Sequence, residues 1–111
     1  MDVIITGASR GLGRAIAEIF AENGYNLYLT SLQETRLYKA MEELVNTYPA
    51  ITIKAKPFDL SKKEQAQAFG QWCLKNCSPD ILVNNAGNFT GANVYRVQTG
   101  LYFCPWLTRK V

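Results

Sequence analysis

Apolar and polar positions along the chain follow two alternating patterns. Short apolar, partly β-branched segments predict β-strands at residues 3–6, 26–31, 51–56 and 80–84. Between them, the spacing of apolar residues predicts amphipathic helices. Strands that are apolar throughout are typical of a parallel sheet covered by helices on both faces. The pattern therefore predicts an α/β fold, with a doubly wound parallel sheet of about four strands in the order 3-2-1-4.

The predicted helices have recognisable ends. The first begins near Leu12 and ends at Gly24, because glycine adopts the left-handed conformation that closes a helix. The second covers residues 34–48, before a proline. Ser61 is predicted to cap the third, with Glu64 completing a capping box. The buried faces are predicted to carry Ile16, Ile19 and Phe20 in the first helix, Leu37, Met41, Leu44 and Val45 in the second, and Ala68, Phe69 and Trp72 in the third.

Length and composition narrow the class of protein. The 111 residues suit one domain with a single core. With 48% hydrophobic and 19% charged residues, the chain has the composition of a globular protein and not of a disordered or fibrous one. The net charge of +3 is spread along the chain, so no nucleic-acid partner and no polybasic membrane contact are predicted.

The absence of targeting segments and the cysteine content are both expected of a protein that is not secreted. The chain has no apolar stretch of about 18 residues and no basic segment before its first strand, so we expect a cytoplasmic protein without a membrane partner. An odd number of cysteines, Cys73, Cys77 and Cys104, predicts reduced thiols. Because the chain has no histidine and too few thiols for a closed zinc site, no metal site is predicted.

The final residues differ from the rest. Residues 88–111 lack a clean period, are rich in aromatic side chains and include Pro105, so we predict an irregular tail after a domain at residues 1–87. Nothing after residue 84 is predicted to be a strand, which leaves the fourth strand at an open edge. Unpaired N–H and C=O groups on an apolar edge invite pairing with another chain, so a homo-oligomer through this edge is predicted.

The segment TGASRGLG, residues 6–13, links the first predicted strand to the first helix. A helix that starts there directs its free N–H groups, which carry partial positive charge, toward the loop, where a phosphate fits. Gly7, Gly11 and Gly13 let a pyrophosphate approach the backbone or let the helix pack closely on the strand. The alternative is a tight turn with glycines for structural reasons alone. A P-loop is disfavoured, because no Gly-Lys-Ser/Thr follows.

Two further motifs follow this loop. DL at residues 59–60 comes after the third predicted strand, and NNAG at residues 84–87 comes after the fourth. In this order and at these spacings, the chain resembles the short-chain dehydrogenase/reductase family over roughly residues 1–90. The resemblance implies a Rossmann-type sheet with a nicotinamide dinucleotide lying across the carboxyl ends of its strands.

The resemblance also assigns roles to individual residues. Asp59 would accept a hydrogen bond from the adenine amino group, with Leu60 beside it. For Asp59 and for Asn84, the alternatives are a helix-terminal residue and a strand-end cap. The loop residues that would hold the pyrophosphate and the adenosine ribose are Gly7, Ser9, Arg10, Gly11, Leu12 and Gly13, and those that would line the ribose and support the central strand are Asn85, Ala86 and Gly87.

The choice of cofactor depends on the end of the second strand. An acidic residue there binds the 2'-hydroxyl of NAD, whereas basic or hydroxyl groups accept the 2'-phosphate of NADP. The chain has no acid at residues 30–32. Arg10 stands where NADP-preferring members of the family that the chain resembles often place a positive charge, and Ser31 can donate to the phosphate, so NADP is predicted. Glu34 lies close enough in sequence to keep NAD as the alternative.

The family's catalytic groups are missing from the chain. Its members use a serine and a Tyr-x-x-x-Lys pair, and none of the six tyrosines here has lysine four positions later. The segment at residues 101–110 faintly resembles the family's fourth helix. The chain is therefore interpreted as a truncated, NADP-binding portion of an oxidoreductase that transfers hydride between nicotinamide and an alcohol or carbonyl. The alternative is a non-catalytic dinucleotide-binding or interaction module.

Overall fold

The computed structural model describes residues 1–85 and the backbone of residues 93–96. A five-stranded sheet has the order β3-β2-β1-β4-β5. The first four strands pair in parallel, which confirms the predicted fold class and the order 3-2-1-4. The strands are β1 (Asp2–Thr6), β2 (Asn26–Thr30), β3 (Ile53–Ala55), β4 (Pro79–Asn84) and β5 (Asn93–Arg96), and the helices are α1 (Gly11–Glu22), α2 (Glu34–Thr47) and α3 (Lys63–Asn76).

Strand β5 corrects two of the predictions. It lies in the segment predicted to be irregular, and it pairs antiparallel with β4, placing residues 93–96 opposite residues 81–84. The edge of β4 that was predicted to be open is therefore paired within the chain, and the predicted oligomer through this edge loses its basis. The N–H and C=O groups along the edge of β4 need hydrogen-bond partners. The four residues of β5 supply them, and so short a strand has no apolar pattern from which the sequence could predict it. Residues 86–92 and 97–111 lie outside the described residues.

Two apolar layers cover the sheet because side chains alternate along its strands. Val3 and Ile5 of β1 face α1 and α2, and both are fully buried. Ile4 faces α3 on the other side, where it packs with Phe69. The Phe69 ring contacts the rings of Phe58 and Trp72 at centroid distances of 5.3 and 6.0 Å. The core is thus split by the sheet, as the strands' apolar character predicted.

The buried helix faces differ in part from those predicted. Leu37, Leu44 and Phe69 are buried as expected. Three predicted core residues are instead exposed on the outer helix faces: Ile19, Val45 and Ala68. Small residues take the positions nearest the sheet, because they let a helix approach it closely. These residues are Ala17 and Ala21 in α1, Ala40 in α2, and Ala66 and Gly70 in α3.

Polar contacts tie the strands at the amino edge of the sheet. The backbone N–H of Asp2 donates to Asp80 Oδ2 at 2.9 Å, and Asn26 Nδ2 donates to Asp2 Oδ1 at 3.0 Å.

Burial, with the charges of Asp2 and Asp80 adding to it, raises the pKa of the Cys77 thiol to about 12. Cys77 is a free thiol, whereas Cys104 lies outside the described residues. In the described part of the chain, every helix is too short or too polar to cross a bilayer.

We predict that Phe69→Ala lowers the free energy of unfolding by about 3–5 kcal/mol, because it removes a fully buried ring and leaves a cavity. Urea denaturation followed by circular dichroism measures this change. Leu74→Ala, on the same helix with a side chain 39% exposed, is the matched control and should cost less than about 1 kcal/mol. Similar losses for the two variants would contradict the assignment of Phe69 to the core.

Candidate functional site

The predicted site residues gather at the carboxyl edge of the sheet. Because β1, β2, β3 and β4 are parallel, the loops that follow them open on the same side. The glycine loop follows β1, Ser31 follows β2, and Asp59 and Leu60 follow β3. Asn85 follows β4, whereas Ala86 and Gly87 lie outside the described residues.

Gly7 and Gly13 are required by protein packing at this edge. Asn85 Nδ2 donates to the carbonyl oxygen of Gly7 at 3.2 Å. A Cβ atom on Gly13 would overlap that carbonyl oxygen and lie 2.7 Å from Asn85 Nδ2. Gly7 itself has φ +64, and its own Cβ would lie 3.0 Å from Asn85. Both glycines therefore allow α1, the loop and the end of β4 to meet.

Gly11 differs from the other two loop glycines. It has φ +60, a left-handed conformation that favours glycine, and among the residues that the structure describes, nothing beyond its own turn lies within 4 Å of the place where its Cβ would be. Leu12 beside it is 53% exposed. The loop is therefore open on this side, at the start of α1.

Thr6 joins the site although the sequence did not mark it as a functional residue. Its hydroxyl oxygen accepts from the backbone N–H of Asn85 at 2.9 Å, and its hydroxyl donates to the carbonyl of Val83 at 3.4 Å. Thr6, the last residue of β1, is fully buried beside β4. The signal in the sequence was a polar residue at the end of an otherwise apolar strand. Thr6 thus fixes the position of Asn85 relative to the loop.

The start of α1 has backbone donors that no intrahelical carbonyl satisfies. Arg10 is the N-cap, has an extended backbone and makes no side-chain capping bond. The first turn contains no acidic residue. The N–H groups of this turn lack intrahelical partners, and they carry the positive end of the helix dipole. Arg10 is exposed beside them, so this end of the helix suits an anion such as a pyrophosphate.

Ser9 and Ser31 connect the loops after β1 and β2. Ser31 Oγ donates to Ser9 Oγ at 2.9 Å and accepts from the backbone N–H of Gln33 at 3.3 Å. Ser31 is only 8% exposed. That its hydroxyl donates to a cofactor phosphate stays a prediction. The backbone N–H of Ala8 donates to the carbonyl of Thr30 at 3.1 Å and strengthens the same connection.

Asp59 is held in one orientation by the turn that follows it. Its Oδ1 accepts from the hydroxyl of Ser61 at 2.6 Å and from the backbone N–H of Ser61 at 3.1 Å. The bond from the Ser61 hydroxyl lowers the pKa of Asp59 most, the bond from the Ser61 backbone N–H lowers it less, and the charge of Lys62 also lowers it. The carboxylate is therefore an acceptor, the polarity that an amino group on a ligand requires.

One expectation around Asp59 changes. Ser61 is not the N-cap of α3, which is Lys62, because the Ser61 hydroxyl is used by Asp59. Leu60 packs partly against the apolar layer around Phe69, and its place beside the cofactor stays a prediction. The backbone N–H of Asp59 donates to Gln65 Oε1 at 3.3 Å, a contact that the sequence did not suggest. The loop after β3 is thus built around Asp59.

These features define a class of protein: a Rossmann-type α/β protein whose glycine loop and helix start present donors at the carboxyl edge of a parallel sheet. The family model for short chain dehydrogenase matches residues 2–100. The chain belongs to this family.

Known proteins of similar sequence and structure agree with this membership. A diacetyl reductase, (S)-acetoin forming, from Staphylococcus epidermidis is 37% identical over 86 residues, which are 76% of this chain and 32% of the relative. An alcohol dehydrogenase from the archaeon Thermococcus sibiricus, complexed with 5-hydroxy-NADP, is 37% identical with a TM-score of 0.73, covering 78% of this chain and 37% of that one.

A short-chain dehydrogenase/reductase from Burkholderia phymatum in complex with NAD is 32% identical with a TM-score of 0.71. The match covers 78% of this chain and 30% of that one. The chain therefore spans about a third of the length of the relatives it matches.

We predict that Gly13→Ala lowers the free energy of unfolding by about 3 kcal/mol, because the added Cβ meets the Gly7 carbonyl, which is backbone and must shift. Gly11→Ala is the control, since its Cβ has room and only the left-handed conformation costs about 1–2 kcal/mol. Guanidinium denaturation of both variants measures the difference. A larger loss for Gly11→Ala than for Gly13→Ala would show that the loop packs differently.

We predict that Ser61→Ala raises the pKa of Asp59 toward its ordinary value of 3.8, because the stronger of the two Ser61 bonds is lost. A carboxyl with a lowered pKa stabilises the folded chain above the unfolded pKa, and this contribution is lost as pH falls through the folded pKa. Carbon-detected NMR titration of the Asp59 carboxyl in both proteins measures the shift. An unchanged titration midpoint would show that the backbone N–H alone sets the pKa.

Proposed function

We propose that this chain binds a nicotinamide dinucleotide across the carboxyl edge of β1, β2 and β4, with NADP(H) preferred over NAD(H). The single observation that carries the proposal is the start of α1, where the helix has no capping side chain and no acidic residue, and where the loop is open at Gly11. These free donors fit a pyrophosphate, which is dianionic and accepts hydrogen bonds only. The parent protein would be a short-chain oxidoreductase.

The roles of the site residues follow the elements that carry them. Asp59 would accept from the adenine amino group, since its Oδ2 is not used by the Ser61 bonds. Asn85 would line the adenosine ribose, while its amide holds the Gly7 carbonyl. The pyrophosphate and the adjacent ribose would be held by the loop residues Gly7, Ser9, Arg10, Gly11, Leu12 and Gly13, and Ala86 and Gly87 would continue the ribose site beyond Asn85.

Charge supports the preference for NADP. Arg10 is exposed and forms no ion pair with any residue of the described chain. The residue after β2 is the neutral Ser31, where a carboxylate would bind a free 2'-hydroxyl and repel a phosphate. Glu34 lies in the first turn of α2, where it faces the positive end of its own helix. The archaeal alcohol dehydrogenase carries an NADP derivative and the Burkholderia protein carries NAD. The likeness to them therefore supports binding of a nicotinamide dinucleotide, and the preference for the 2'-phosphate of NADP rests on Arg10.

The bound nicotinamide would supply the hydride chemistry. In the parent protein we propose hydride transfer between the nicotinamide and an alcohol or carbonyl. Because the 111 residues contain no Tyr-x-x-x-Lys, the residues of this chain bind and orient the cofactor, and no catalytic residue is assigned among them.

We predict that Arg10→Ala weakens NADP(H) binding about tenfold and changes NAD(H) binding by less than twofold, because only NADP(H) carries the phosphate that Arg10 would contact. Isothermal titration calorimetry of both cofactors measures the two dissociation constants. Lys75→Ala is the matched control, since it removes the same charge from the last turn of α3, at the opposite end of the sheet.

Two results would overturn the proposal. Equal NAD and NADP affinities in the unmutated chain would contradict the cofactor preference. Absence of binding to either cofactor would contradict the binding site itself.

A further inference from the structure

Two sides of helix α1 are occupied by contacts within the chain. Its buried residues, Gly13, Ala17 and Ala21, face the sheet. Arg14 Nη2 lies 3.4 Å from Glu43 Oε1, so Arg14 marks the flank of α1 that faces α2. Helix α3 packs on the other side of the sheet. Within the part of the chain that the structure describes, the flank of α1 away from α2 therefore has no helix beside it.

That flank carries an apolar stripe, which consists of Leu12, Ala15, Ile16 and Ile19. These positions follow the i, i+3, i+4, i+7 spacing that brings side chains to one side of a helix. Leu12 and Ile19 are 53% and 58% exposed, while Ile16 is partly buried against the apolar layer below it. A contiguous exposed apolar surface on a globular protein marks an interaction site.

The stripe is symmetric about its centre. Leu12 lies three residues before Ala15, and Ile19 lies three residues after Ile16. Two copies of α1 that cross antiparallel, with a two-fold axis at this centre, place Leu12 of each copy against Ile19 of the other. The small side chain of Ala15 lets the two helices approach closely at the crossing point. The stripe is therefore complementary to a second copy of itself.

Charges at the ends of α1 match the same arrangement. The stripe contains no charged residue, Arg10 precedes the helix and Glu22 ends it, and both of these residues are exposed. Antiparallel pairing brings Arg10 of each copy toward Glu22 of the other. It also places the positive end of one helix dipole beside the negative end of the other. Parallel pairing would instead bring like charges together.

We propose that the apolar stripe is a docking surface for a second copy of this chain, with the two α1 helices packed antiparallel. The proposal goes beyond the proposed function, because it does not depend on a bound dinucleotide. It also does not use the edge of β4, which β5 already pairs. Since each copy contributes few large side chains, the interface is small and the dimer is a weak, reversible one.

The test is sedimentation velocity of the 111-residue chain from ~10 μM to ~1 mM, the range in which weak association becomes visible. The unmutated chain should shift from monomer toward dimer as concentration rises. Ile19→Glu should weaken dimerisation at least about tenfold, because it places a charge inside the apolar contact. Val45→Glu is the matched control, since it adds the same charge at a 41% exposed position of α2, on the flank away from Glu43. It should change the dissociation constant by less than about twofold.

A charge-pair variant tests the antiparallel arrangement. Leu12→Lys should weaken dimerisation as Ile19→Glu does, and the double variant should recover it, because each new lysine then faces a new glutamate on the other copy. Both positions are more than half exposed, so these changes remove little core packing, and circular dichroism checks that each variant is folded. Leu12→Lys also keeps the test available if Ile19→Glu does not fold.

Each of the other outcomes counts against the proposal. A chain that stays monomeric up to ~1 mM would overturn it, since no self-association would exist in the range expected of a weak dimer. A dimer that Ile19→Glu leaves unchanged, or that Val45→Glu weakens equally, would place the contact elsewhere. Single variants that weaken dimerisation without recovery in the double variant would contradict the antiparallel pairing. All of these results leave the proposed dinucleotide binding unaffected, because calorimetry with NADP and NAD tests it separately.

Discussion

The contact among Gly7, Gly13 and Asn85 is the constraint on which the site depends. Helix α1 approaches β1 so closely that a single added carbon at Gly13 has no space beside the Gly7 carbonyl. That carbonyl is in turn held by the Asn85 amide at the end of β4. The direction of α1, and therefore the place to which its free N–H groups point, is fixed by this one packing contact.

Of the two interpretations of the glycine loop, the structure shows the packing role for two of its three glycines, and the phosphate-binding role stays a prediction. Gly7 and Gly13 serve protein packing, which is the structural alternative that a glycine-rich turn always carries. Within the described part of the chain, Gly11 borders open space at the loop mouth, where a close approach of a ligand to the backbone is predicted. Helix packing and the proposed anion site are thus linked, because the packing of Gly7 and Gly13 sets the direction in which the start of α1 points.

Around this contact, polar side chains are oriented before any ligand arrives. Thr6 positions Asn85, Ser31 donates to Ser9, and Ser61 holds the carboxylate of Asp59. Each of these partners is hydrogen-bonded to a residue that was predicted to bind the cofactor. Such prearranged groups lower the ordering cost of binding, since the hydrogen bonds that fix them are already formed in the folded chain.

The sequence by itself determined the parallel strands, the three helices and the glycine loop, because each depends on local periodicity or on one backbone conformation. Tertiary structure decided what depends on contacts between distant residues. Small residues took the buried helix positions in place of Ile19 and Val45, since distance from the sheet selects side-chain size. The edge of β4 pairs with β5, and Ser31 is hydrogen-bonded to Ser9. Strand edges and buried hydroxyls need hydrogen-bond partners, and the fold determines which groups lie close enough to be those partners.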